Sequence, residues 1–173
     1  MRVWLVRAGR AGEQEGFALA NGCAVIGWSR MEDLAVVESR EEMVEEVRIK
    51  DPHASERRLA NHAAQLWAFA RRIEPGDLAV LPSKVRRTVA VGRVTGPYRY
   101  EPANPSGARH VRAVDWVRPD VPRDAIGQDL LWSLGASMTI CQVSRNGAAE
   151  RFAAMLAGGP DPGPPGAGAA RPV

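Results

Sequence analysis

Arginine and tryptophan are the residue types that could carry chemistry in this chain. Of 173 residues, 23 are Lys or Arg against 20 Asp or Glu, and five are Trp against three Phe and two Tyr. Between Lys84 and Arg118 lie Lys84, Arg86, Arg87, Arg93, Arg99, Arg109, Arg112 and Arg118, opposed only by Glu101 and Asp115. The segment Glu32 to Glu46 is acidic instead. A basic face of this kind can track a phosphate backbone with steep salt dependence, and it is equally what a solvated arginine-rich surface looks like. Ser83, Lys84, Arg86 and Arg87, at an expected hairpin tip, and Arg109 and Arg112, on an expected strand, are the candidate backbone contacts. Trp28, Trp67 and Trp132 fall where elements end or where a helix meets a sheet. Paired indoles can sandwich a nucleobase removed from its stack while hydroxyl and amide groups read its edge. Ser29, beside Trp28, and Asn61, before Trp67, could supply those polar contacts. Core packing accounts for each of the three indoles equally well, and Trp4 and Trp116, alternating with apolar neighbours, are assigned to packing.

Catalytic signatures are missing. The sequence has no GxxxxGK[ST], HExxH or GxSxG motif, and the glycines of RAGRAGEQEG do not form GxGxxG. Pro119-Asp120 lacks the Glu-x-Lys strand a metal-dependent nuclease needs. His53, His62 and His110 have no second ligand nearby, although His62, next to Asn61, could face a ligand pocket. Cys23 and Cys141 lack metal-ligand spacing and read as two small buried thiols in a reducing compartment, a disulfide being the alternative. No catalytic residue, metal or cofactor is therefore expected.

The elements that must position these residues begin with two buried strands, Val3 to Arg7 and Cys23 to Trp28, joined by a polar glycine-containing segment. Ser39 has capping-box spacing to Glu42 and predicts a helix over 40–49, ended by Asp51-Pro52. Ser55 can cap a second helix in which Leu59, Ala63, Leu66, Trp67, Ala70 and Ile73 share one face. LAVLP and TVAVGRV then form antiparallel strands around the basic tip, Gly96-Pro97 turns the chain into YRY, and RHVRAVDWV alternates as a half-exposed strand. A short helix follows Pro122, MTICQV is a last strand, and Asn146 can cap a final helix carrying Phe152, Met155 and Leu156. The predicted class is α+β: a small, strongly bent or barrel-like, mostly antiparallel sheet of about six strands flanked by helices. Residues 1–157 form the domain, and 158–173, rich in Gly and Pro, read as a flexible tail or linker. No apolar run is long enough to span a bilayer and no signal core opens the chain, so the expected location is the cytoplasm.

The ordered segments WLVRAG, AVIGW, NHAAQLWAF, GDLAVLP, VAVGRVTGPYRY and LLWSLGASMTICQV resemble the N-terminal module of actinobacterial Mrr-like modification-dependent restriction proteins, itself similar to the EVE and YTH domains of the PUA superfamily. The resemblance covers roughly residues 1–157. It implies a bent β-barrel with a pocket that accepts one flipped, modified base in an aromatic cage, for which Trp28 and Trp67 are the first candidates and Trp132 the third. The restriction proteins continue into a nuclease domain where this chain has its Gly/Pro segment, so cleavage would need a separate domain or subunit. The expected partner is double-stranded DNA carrying 5-methylcytosine or 5-hydroxymethylcytosine, with methyladenine next. An RNA-binding PUA-like module and a protein- or small-ligand-interaction domain are the alternatives.

Overall fold

The computed structural model describes residues 1–166. Its strands are β1 (Val3–Val6), β2 (Cys23–Ile26), β3 (Leu78–Pro82), β4 (Thr88–Tyr100), β5 (His110–Pro122) and β6 (Ile140–Gln142). Its helices are α1 (Glu15–Ala20), α2 (Arg40–Lys50), α3 (Glu56–Trp67), α4 (Gln128–Ser133) and α5 (Ala148–Leu156). The strands form one sheet in the order β2-β5-β4-β3-β1-β6. Only β1 and β3 run parallel, with Leu5 opposite Val80; the other pairings are antiparallel. The α+β class and a mostly antiparallel six-stranded sheet flanked by helices are as expected from the sequence; the parallel β1–β3 pair is not.

The continuous apolar runs VWLV and LAVL are explained by burial on both faces of the sheet. Trp4, Val6, Ala79 and Leu81 point to a core shared with α3, where they join Leu59, Leu66 and Phe69. Val3, Leu5, Leu78 and Val80 point the opposite way, to Leu130 of α4 and Phe152 and Met155 of α5. The two capped helices begin where the hydroxyls predict: Ser39 Oγ accepts from Glu42 N (3.1 Å) and Ser55 Oγ from Arg58 N (3.2 Å).

The expected barrel does not close. Strands β2 and β6 are unpaired with each other, and α3 occupies the gap: Gln65 Oε1 accepts from Thr139 N (2.9 Å) and Ile140 N (3.1 Å), taking backbone donors that a closing strand would need. Bending is concentrated in the β4–β5 hairpin, whose register shifts between Val89 and Val91, Val91 and Arg93, and Val94 and Tyr98. At Gly92 a Cβ would fall 2.5 Å from the Asp115 carbonyl oxygen, so only glycine fits that approach. The hairpin also carries β4 straight through Gly96-Pro97, where the sequence suggested a turn.

Other local readings need correction. The segment between β1 and β2 contains α1, unseen in the sequence. Asn146 does not cap α5; Gly147 stands there, and Asn146 Nδ2 donates to Asp129 O (3.1 Å) and Ser133 Oγ (2.8 Å). Residues 158–166 include a fixed point: Asp161 is buried against Arg151. Residues 167–173 of the expected tail lie outside the described residues. Cys23 and Cys141 are both free and sit on the two outermost strands, β2 and β6. Among the described residues no helix is long and apolar enough to cross a membrane.

Candidate nucleic-acid interface

A cleft of about 700 Å³ opens where the sheet fails to close, between the ends of β1 and β2, the first turns of α3 and the 135–139 loop. Trp28 is its aromatic wall. The residue follows Gly27 at the end of β2 and holds φ +43°, a left-handed conformation that costs a bulky residue of order 1–3 kcal/mol and persists only where its surroundings impose it. Those surroundings are identifiable. Trp28 O accepts from Met31 N (2.9 Å), closing a turn, and Met31 O meets His110 Nε2 (3.2 Å). A carbonyl only accepts, so His110 carries its proton on Nε2, and its Nδ1 takes the Tyr98 hydroxyl proton at 2.8 Å. Tyr98 Oη in turn accepts from Leu34 N (3.0 Å). Burial holds His110 below and the Tyr98 hydroxyl above their ordinary pKa values, so both are neutral in this chain of bonds.

The indole is pinned on its other side by α3. Trp28 Nε1 donates to His62 Nδ1 (3.2 Å), with the rings edge to face at 5.4 Å. An indole N–H only donates, so His62 must be unprotonated at Nδ1 and carries its proton on Nε2. Burial first, then the charge of Arg58, lowers the His62 pKa against the opposing pull of Asp51, which suits that state. One turn along α3, Gln65 Nε2 donates to Asn61 Oδ1 (2.8 Å), which orients the Asn61 amide so that its NH₂ group faces Met138 Sδ (3.7 Å). The cleft thus combines an indole, a thioether and side-chain N–H donors with the cations Arg7, Arg10, Arg58 and Lys84. Its single carboxylate, Glu13, is held below its ordinary pKa by backbone N–H groups of its own turn, including Ala11 N at 2.8 Å.

The structure brings together only part of the expected site. Trp28, Asn61 and Lys84 line the cleft, and Ser29 is exposed outside it. Trp67 is turned away: it packs against the core, with Arg71 5.6 Å over its ring, because it lies on the opposite side of α3 from Asn61, His62 and Gln65. Trp132 is 74% exposed and lines a separate cleft with Cys141 and Arg145. The three indoles therefore form no cage. Arg112 is a correction of a different kind. It is only 4% exposed, and it donates to Phe69 O (2.6 Å), Ala70 O (3.2 Å) and Gly96 O (3.1 Å). After Trp67 the helix widens into a π turn over Ala68–Arg72, and the guanidinium satisfies carbonyls that the widened turn frees. Burial pushes Arg112 down to about 10, and no phosphate can reach it.

The other expected backbone contacts are spread out rather than gathered into one basic face. Arg109 donates to Asn104 O (3.4 Å), Arg87 pairs with Asp124 (3.5 Å), and Ser83 turns the hairpin tip by accepting from Arg86 N (2.9 Å); Arg86 is exposed on that tip. Arg7, Arg10, Arg58, Gln65 and Met138 were missed as site residues. The Asn61–Gln65 spacing was a readable signal, since residues four apart share a helix face; the missed cations come from two separated segments and left none. His53 is exposed, whereas Trp4 and Trp116 pack as expected, their indole N–H groups reaching Asp77 Oδ2 (3.0 Å) and Cys23 O (3.1 Å). Among the described residues no cluster of His, Cys, Asp or Glu could hold a metal.

An open, mixed α+β sheet whose unclosed seam carries a cationic cleft with one locked indole defines the class. Residues 4–131 match the family described as Domain of unknown function (DUF8426), and the chain belongs to that family. The match spans β1 to α4 and includes Trp28, Asn61, His62 and Lys84 but not the 135–139 wall. No curated protein and no solved structure matches the chain.

Proposed function

We propose that this domain is an EVE- or YTH-like reader of modified DNA, which takes one flipped base, favouring 5-methylcytosine or 5-hydroxymethylcytosine, into the Trp28 cleft. The observation that carries the reading is the left-handed Trp28, a bulky residue whose conformational cost is offset by two hydrogen-bonded networks that hold its indole at the mouth of a cationic pocket. The volume is within the range of small-ligand sites. Trp28 offers a face for stacking and Met138 a polarisable contact for a methyl group, while the Asn61 amide and the His62 Nε2 proton can donate to carbonyl and ring-nitrogen acceptors on a base edge. Arg10, Arg58 and Lys84 suit the backbone on either side. In this reading the domain acts in the cytoplasm as the recognition part of a restriction system, and any cleavage belongs to another domain or subunit.

Binding to matched duplexes carrying cytosine, 5-methylcytosine, 5-hydroxymethylcytosine or methyladenine at one salt concentration tests the reading. A preference of tenfold or more for one modified base, lost in Trp28→Ala, is expected; equal binding to all four refutes base reading. An RNA arm of the same sequence separates the PUA-like RNA reading, since only RNA offers the 2′-hydroxyl. The exposed Trp132 beside the β6 edge favours a second reading, a protein-interaction surface, which predicts unchanged tryptophan fluorescence with every nucleic acid.

A further inference from the structure

Next to the Trp28 cleft, and sharing Arg7, Lys84 and Gly135 with it, lies a smaller cleft of about 290 Å³ that also receives Arg123. Three cations from three distant segments converge there: Arg7 at the end of β1, Lys84 at the β3–β4 tip and Arg123 in the turn after β5. No carboxylate is among the residues lining it. Among the described residues the arginine ion pairs involve Arg2, Arg48, Arg58, Arg87, Arg99 and Arg151, none of this trio. Glu15 lines a different cleft and accepts from Lys84 N (2.8 Å) and the Ser83 hydroxyl (3.4 Å).

Arg7 is also built in. Its Nη2 donates to Leu134 O (2.8 Å) and Ala136 O (3.2 Å), leaving Nε and Nη1 free of bonds among the described residues. Burial and the charge of Arg123 both lower its pKa. Like charges that share a cleft with no carboxylate among its lining residues are a cost that a bound anion reduces, and forked guanidinium donors match phosphate oxygens.

We propose that the Arg7–Lys84–Arg123 cleft is a phosphate-binding subsite that seats the phosphodiester adjoining the base held against Trp28. The assignment rests on the reader function for its position beside a base, and it adds Arg7 and Arg123 to a set in which only Lys84 was foreseen. Lys84 and Arg123 meet the phosphate from opposite elements, whereas Arg7 also fastens the loop that walls both clefts.

The test uses the full chain and an Arg123→Gln/Lys84→Gln double variant. With a duplex carrying the preferred base, replacing the adjoining phosphodiester by a neutral methylphosphonate should weaken the wild type about tenfold and leave the double variant unaffected. The variant should bind modified and unmodified duplexes more weakly in equal ratio, with a salt slope shallower by about one. Equal methylphosphonate losses in wild type and double variant overturn the proposal while leaving base preference, and so the reader function, standing. Inorganic phosphate at low ionic strength separates the reverse case: a rise in Tm for wild type, absent in the double variant, supports the anion site even where no duplex is discriminated. The same rise in both proteins refutes it.

Discussion

Replacing Asp161 by Ala should destabilise the domain by about 3 kcal/mol, although the residue lies in a Gly/Pro-rich stretch whose composition predicts no cost. Arg151 of α5 is 2% exposed, and its guanidinium is forked by Asp161 through Nε–Oδ1 and Nη2–Oδ2, both 2.7 Å. Asp161 also accepts from Gly127 N (2.7 Å) and Gly163 N (2.9 Å). These bonds hold its carboxyl down at about 2 against 3.8 in the unfolded chain, a difference worth ~2 kcal/mol. Truncation further leaves a buried cation half-paired, typically a loss of about 3–5 kcal/mol. Asp129, 2.7 Å from Nη1, and Asn146 O, 3.0 Å away, remain, which puts the expectation at the low end.

Urea unfolding at pH 7 measures it: the midpoint should fall at constant slope, with Tm lower by roughly 6–12 °C for a domain of this size. Because the folded carboxyl pKa is depressed, its contribution is complete above the unfolded value and disappears as pH drops from 3.8 through about 2, so the variant should lack that part of the acid dependence. A cost within ~0.5 kcal/mol, the usual range for surface changes, would refute the reasoning and restore residues 158–166 to the status of a tail.

Further expectations follow from the site and its supports. Trp28→Ala should abolish discrimination between modified and unmodified duplexes, whereas Trp67→Ala should keep it and lose about 2 kcal/mol of stability, as urea titrations and binding isotherms read together will tell. Arg112→Ala, by stripping partners from Phe69, Ala70 and Gly96 carbonyls, should cost about 3 kcal/mol or more, which a thermal melt detects without any nucleic acid present. Tyr98→Phe removes the hydroxyl between Leu34 N and His110 Nδ1 and should cost about 1–3 kcal/mol and loosen the Trp28 turn, visible as a shifted indole fluorescence. His62 and His110 are both held below the ordinary histidine value, so the unfolded chain binds protons first. Stability should therefore be complete above about pH 6.5 and fall as pH drops below it. Melts between pH 8 and 5 check this, and His62→Gln should flatten part of the slope.

Much of the fold was legible because its signals are local. Ser39 and Ser55 announce α2 and α3 through hydroxyls three residues from the N–H they bind, and the runs VWLV and LAVL state burial on two faces without saying what covers them. Trp28 and Asn61 were legible as candidates by type alone. Whether an indole lines a cleft or packs in a core depends on which side of α3 meets the unclosed seam, and that placed Trp28 in the cleft and Trp67 behind it. Arg112 and Arg7 look alike in a sequence; one is consumed by carbonyls of a π turn 42 and 43 residues away in the chain, and the other joins two cations from distant segments. The composition of residues 158–166 spoke for a linker and carried no signal that Asp161 would meet the buried Arg151 guanidinium. Sequence alone determined residue types, the caps of α2 and α3, the runs VWLV and LAVL and the α+β class, because those follow from neighbours along the chain. Tertiary structure decided which side chains share a cleft, since convergence of segments far apart is a property of packing and of the seam left open between β2 and β6.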